Sequence, residues 1–371
     1  MRSVAVCLLG VCALPAQEDP ATLARQALAA RQAGQIERSI ELYRKALATR
    51  PDDPESWWYL GLNYYDRDRH AECSGAFSEV AKQAPDNGPA FAFLGLCEFE
   101  EKKYETALAH IVLGKQKGIP PGSELDRVAH YHYLVLANKI GQFELAGSLL
   151  AEVAAKPVES VPDLVELAGL SALRMPLLPA EIHGETKDAV TIAGRASVFA
   201  WTNQLDQALA DADVLLAKYP RLPNAHYLRG YILLLRHDPA CIDEFRNELE
   251  VSPRHVQARL RIAYEYLQRG DADKGLPFAE QAVQLAPADF MAHNFLGRIL
   301  LDLDKTAIAL AHLQTAVKLA PASPDAHFHL AAALSRAGRA KEAARHREIF
   351  KKLEEARRAQ RATTLPSQTA R

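Results

Sequence analysis

The chain has 371 residues, 49% hydrophobic and 24% charged. That is the range of ordinary globular chains, and it excludes collagen-like, disordered and disulfide-scaffold compositions. Its 44 Lys and Arg are offset by 46 Asp and Glu to a net charge of -2, so no chain-wide field recommends nucleic acid or an anionic membrane as a partner.

Behind Arg2, Val4–Leu14 is apolar without a break and gives way to Gln17, Glu18 and Asp19. The run is too short to span a bilayer and has the layout of a secretory signal cut after Ala13 or Ala16. Residues 1–16 are therefore expected to be a signal peptide, and the mature chain periplasmic or secreted. Cys12 also sketches a lipoprotein box, although Val11 is bulky directly before it; the competing reading is an apolar first helix of a cytoplasmic protein. Among the later cysteines, Cys73 and Cys241 stand where other segments place Ala107, Ala146, Ala208, Ala309 and Ala343, which reads as a small buried side chain. Spacing alone does not establish a Cys73–Cys97 bridge.

From residue 20 the sequence repeats. Apolar stretches close at Pro51, Pro85, Pro120, Pro220, Pro253, Pro287 and Pro321, with successive gaps of 34, 35, 100, 33, 34 and 34. Within a unit, Trp57, Leu60, Gly61 and Tyr64 share one helical face, and a second helix carries Cys73, Phe77 and Val80. Gly61 lets the second helix approach, while Trp57 and Phe77 fill the angle between the two. The register recurs at Phe91, Leu94, Gly95 and Ala107, at Tyr227, Gly230, Cys241 and Phe245, and at Phe295, Leu296, Gly297, Leu300, Ala309, Leu313, Ala316 and Pro321.

This skeleton resembles the tetratricopeptide repeat family. The resemblance implies an all-α fold, an α-solenoid (right-handed superhelix) of about nine helix-turn-helix units, with first helices lining a concave surface. We expect an N-terminal array over 17–160, an irregular helix plus Pro-rich joint over 161–187, a C-terminal array over 188–355 and a basic flexible tail over 356–371. The joint is expected because Pro176 and Pro179 stand where a second helix should begin. Pro277 falls close to a helix start that Asp273 could cap.

No nucleotide-binding, hydrolase or zinc-protease signature occurs. The pairs His130/His132 and His327/His329 point to opposite sides of a helix, and His130, His226, His293 and His327 all occupy the Trp57 slot, as packing residues would. Glu181, His183 and Glu185 alternate, so an extended chain would place them on one face; a site at the 176–187 loop is the one enzymatic reading. Otherwise the sequence points to no enzyme, no cofactor and no metal.

The strongest functional signal is a stripe one residue after the packing positions: Trp58 and Tyr65, Phe99, Tyr131, Tyr227 and Tyr231, Tyr264, Asn294 and Arg298, and Phe328. About a third of the positions so aligned are aromatic, against 7% for the chain, and aromatic rings on an open surface are anchors for peptides. The alternative is that these rings pack between neighbouring first helices. The expected role is a non-catalytic scaffold or adaptor that binds a protein or peptide partner in the concave groove, in a bacterial envelope. A cytoplasmic scaffold or co-chaperone-like adaptor is the alternative. Only Asn294 and Arg298 suit a grip on a C-terminal carboxylate, and they share one unit. No nucleic-acid partner or transmembrane segment is expected.

Overall fold

The computed structural model describes residues 18–155 and 163–364, with side chains to 359. The expected signal peptide, the start of the joint and the end of the basic tail lie outside the described residues. Among those described, the chain forms nineteen α-helices, one 3-10 turn and no strand. Eighteen of the helices pair into hairpins: α1 (Pro20–Gln32) with α2 (Ile36–Thr49), α3 (Pro54–Tyr65) with α4 (His70–Gln83), α5 (Gly88–Glu100) with α6 (Tyr104–Lys117), and α7 (Glu124–Lys139) with α8 (Phe143–Ala154). After the unpaired α9 (Leu164–Ala172) come α10 (Gly184–Trp201) with α11 (Leu205–Lys218), α12 (Ala225–Leu235) with α13 (Cys241–Val251), and α14 (Val256–Gln268) with α15 (Ala272–Leu285). The series ends with α16 (Phe290–Asp302) and α17 (Thr306–Leu319), then α18 (Pro324–Arg336) and α19 (Ala340–Thr364). The chain is thus an α-solenoid of nine helix-turn-helix units.

Local chemistry sets these boundaries. Most first helices open on side-chain caps, with Asp19, Asp53, Asn87, Ser123, Asp289 and Ser323 each accepting a backbone N–H of the first turn, which satisfies donors the helix cannot; α10 and α12 lack one. Second helices lack such caps and follow a residue with positive φ: Gly34, Asp68, Lys102, Gly141, Asn203, His237, Gly270, Asp304 and Gly338. That left-handed residue reverses the chain in every hairpin. Between the two helices the contact is close: a Cβ on Gly61 would lie 2.8 Å from the Phe77 ring, and one on Gly297 would lie 2.5 Å from Leu313. The alanines and cysteines aligned with Cys73 are buried, as their slot demands.

The Trp57 slot has a second task. Trp57 Nε1 donates to the Pro51 carbonyl, Arg259 Nη2 to Pro253, His293 Nε2 to Pro287 and His327 Nε2 to Pro321. In each case a first helix is tied to the proline carbonyl six residues earlier that closes the preceding unit. Because a carbonyl only accepts, Nε2 of both histidines carries the proton and Nδ1 is an acceptor. The Nδ1–H of His312 and of His346 fill those acceptors, at 3.0 and 2.9 Å. His327 therefore pairs with His346 rather than with His329.

The chain divides into two compact units, one running to Leu167 and including Met175–Ile182, the other made of Ala168–Arg174 and His183 onward. In the first, Asn138 is fully buried and its Nδ2 donates to the Met175 carbonyl at 3.0 Å, while Lys139 pairs with Glu181 at 2.7 Å. The end of α7 thus fixes the double-proline loop. In the second, a Cβ on Gly169 of α9 would lie 1.9 Å from the Val190 carbonyl oxygen of α10.

Several expectations need correction. The irregular stretch ends earlier than Lys187: Pro179–Glu181 is a 3-10 turn, and α10 begins at Gly184. Glu181, His183 and Glu185 are consequently not alternate residues of one extended strand, and Glu181 is committed to Lys139 and to the Leu178 N–H. Cys73 is more than a small filler, for it is bridged to Cys97, joining α4 to α5 across two units of the array. The basic tail is helical to Thr364, since i,i+3 pairs such as Arg357 with Glu354 support α19. Pro277 lies inside α15, in its second turn, and Asp271 rather than Asp273 stands at the cap position.

Candidate functional site

The ten stripe residues separate into two environments. In the first unit they are consumed by packing. Trp58 sets its edge against Phe77 and Phe93 at 5.4 and 5.7 Å, Tyr65 meets Phe93 at 5.4 Å, and Phe99 meets His132 at 4.8 Å. Phe93, which the stripe omitted, is the hub of this cluster. Tyr131 donates its hydroxyl to Asp163 at 3.1 Å, and burial followed by that carboxylate pushes its pKa up to about 12. Several aligned positions, among them Ala92, Leu96, Val135, Ala193, Leu260 and Leu301, are buried, so the stripe as aligned is not one open surface.

In the second unit, first helices α12, α14, α16 and α18 carry a different pattern. Tyr227 is held between Phe245 at 5.4 Å and His255 at 4.8 Å. It belongs to a polar knot: the buried carboxylate of Glu248 accepts the Asn224 and Tyr227 N–H groups at the start of α12, which suits a negative charge at a helix N-terminus. His255 Nδ1 accepts the Ala258 N–H, leaving Nε2–H to donate to Asn224. Tyr227 is therefore a framework residue.

Tyr231 and Tyr264 are different. The Arg261 guanidinium lies 5.8 Å over the Tyr231 ring, and that of Arg298 lies 5.9 Å over Tyr264. Tyr264 also meets Phe295 at 5.7 Å. Two successive units thus each set an arginine of the following first helix across a tyrosine face. Burial opposes the charge on Arg261, but the Tyr227 and Tyr231 oxygens with Glu265 outweigh it and hold the group protonated above its ordinary value. Beyond Arg298, His329 Nδ1 donates to Asn294 Oδ1 at 2.9 Å, and burial followed by the Arg298 charge lowers the His329 pKa to about 4. Asn294 is itself buried, and Phe328 is the one half-exposed ring of the set, tilted against Phe350. Arg261 of α14 and His329 of α18 were left out of the stripe because each stands one residue after a stripe position, Leu260 and Phe328. The available signal was a guanidinium three residues before Tyr264 on the same first helix.

Helical hairpins repeated with a closing proline define a class of repeat solenoid. Models of that class match directly: a TPR repeat over residues 27–67 and tetratricopeptide repeats over 256–289 and 294–346. The chain thus carries tetratricopeptide repeats, and these support a protein-interaction scaffold. No curated protein matches. Among solved structures the chain is similar to MamA 41-end from Desulfovibrio magneticus RS-1, at 24% identity over 47% of this chain and 98% of that one, with a TM-score of 0.43. It is also similar to YrrB, titled a TPR protein with an unusual peptide-binding site, at 19% identity over 48% and 93% and a TM-score of 0.40. Yeast Tom70 aligns at 14% identity over 94% and 97%, with a TM-score of 0.39.

Proposed function

We propose that this chain is a non-catalytic scaffold that holds an extended protein segment on the first helices of its second unit, and that it works in an oxidising extracytoplasmic compartment. The observation that carries the groove is the pair of arginine-covered tyrosines, Tyr231 with Arg261 and Tyr264 with Arg298. These rings are partly buried beneath a charged side chain of the next first helix, whereas Trp58 and Tyr65 pack into an aromatic cluster. The Cys73–Cys97 bridge supports the compartment, because structural disulfides persist where thiols are not kept reduced. The apolar start of the sequence agrees with it.

The groove is tested by selecting binding peptides from a random display library on the full chain. Affinities of the selected peptides are then measured for Tyr231→Ala with Tyr264→Ala. Aromatic anchors carry about 2 kcal/mol or more, so affinity should fall well over tenfold while helical content holds. Unchanged affinity in a folded variant would place the binding surface elsewhere.

A further inference from the structure

Several arginines in the second unit are neutralised by carboxylates. Arg195 pairs with Asp211, Arg229 with Asp213 and Glu244, Arg236 with Asp206, and Arg269 with Glu265. Arg229 stands on the same helix as Tyr231, yet its partners are carboxylates on α11 and α13. Among the described residues, Arg261 and Arg298 have no carboxylate within 4.0 Å and lie over tyrosine rings on first helices; Arg246, also without one, lies over Tyr266 from the second helix α13. Helices α12, α14 and α16 supply two acidic residues between them: Glu265, which pairs with Arg269 and also acts on Arg261, and Asp302 at the end of α16. Acidic residues concentrate on second helices, as Asp243, Glu244, Glu248 and Glu250 of α13 show.

A guanidinium stacked on an aromatic face keeps its N–H donors in its own plane, pointing outward from the ring. Stacking removes water from the flat face and leaves the edge, which matches a carboxylate bidentately; Arg261 gives part of that edge to the Tyr227 hydroxyl. We propose that the occupant of the α12–α14–α16 surface is an internal acidic protein segment, its Asp or Glu side chains taken edge-on by Arg261 and Arg298 while its apolar atoms lie on Tyr231 and Tyr264. This rests on the groove reading above and names the chemistry of its partner. A C-terminal carboxylate is not required, because both cationic groups sit along the surface rather than closing one end of it.

The test uses a short fluorescent peptide that alternates glutamate with leucine and serine, its glutamine isostere, and a C-terminally amidated form of each, titrated into the full chain. The glutamate peptide should bind at least tenfold tighter than the isostere at low salt, amidation should change nothing, and the advantage should shrink as salt screens the charges. Arg261→Gln with Arg298→Gln should abolish the preference and leave isostere binding in place. Should that variant fail to fold, Arg298→Gln alone must reduce the preference, because its guanidinium has a single ring contact. Equal binding of both peptides, still lost in the Tyr231→Ala and Tyr264→Ala variant, would overturn the acidic segment and leave the groove standing. Binding that ignores the tyrosines would remove both. Tighter binding of a single-stranded oligonucleotide than of the glutamate peptide would also overturn the assignment.

Discussion

His329 shows how much one partly buried imidazole governs. Burial and the Arg298 charge hold it neutral down to about pH 4, and burial also lowers His132, His312 and His346. An unfolded chain takes up these protons near pH 6.5. Between the two values the unfolded state binds more protons than the folded one, so stability must fall as pH falls. The contribution is whole above pH 6.5 and is lost progressively toward pH 4. For His329 alone the loss at pH 5 is about 2 kcal/mol. Urea unfolding at pH 7 and pH 5 should show that loss in the parent chain and a smaller one in His329→Gln. A pH-independent midpoint would mean that His329 is solvated.

At the level of helices, hairpin contact depends on where a side chain is missing. Gly169 brings α9 against the Val190 carbonyl, while Gly75 in the middle of α4 faces open space. The same substitution should therefore have opposite signs. Gly169→Ala should cost about 3 kcal/mol or more through steric overlap with backbone, and Gly75→Ala should add roughly 0.5–1 kcal/mol through helix propensity. Denaturant midpoints would decide it, and a neutral Gly169→Ala would show that α9 is not docked as described. Helix existence was legible because the closing prolines and the Trp57, Gly61, Phe77 skeleton encode local packing at fixed spacing. What was not legible depended on partners distant in sequence. Whether Trp58 or Tyr231 is open is decided by Phe93 and Arg261, each on the next first helix. The place of the double-proline loop depends on Glu181 meeting Lys139, 42 residues away, and Cys73 reads as a filler until Cys97 is folded against it.

For the whole molecule, the bridge bears on where it works. Closing a loop of residues 24 apart removes unfolded-state freedom amounting to about 3 kcal/mol, a contribution that a reducing compartment would forfeit. Chain isolated from its own host, with free thiols alkylated on lysis and under denaturant, should show Cys241 modified and Cys73 and Cys97 protected. Modification of all three would assign it to a reducing compartment. A last consequence follows from the bond that ties α3, α14, α16 and α18 to a proline carbonyl six residues before the donor. Indole, guanidinium and imidazole all make that bond, so the position selects for an N–H of suitable reach and leaves the residue type free. Successive units can therefore drift apart in spelling while the joint between them stays intact. Substituting Trp57 by His or His327 by Trp belongs among the changes such an array absorbs, so resemblance between its units is better measured in donors and acceptors than in letters.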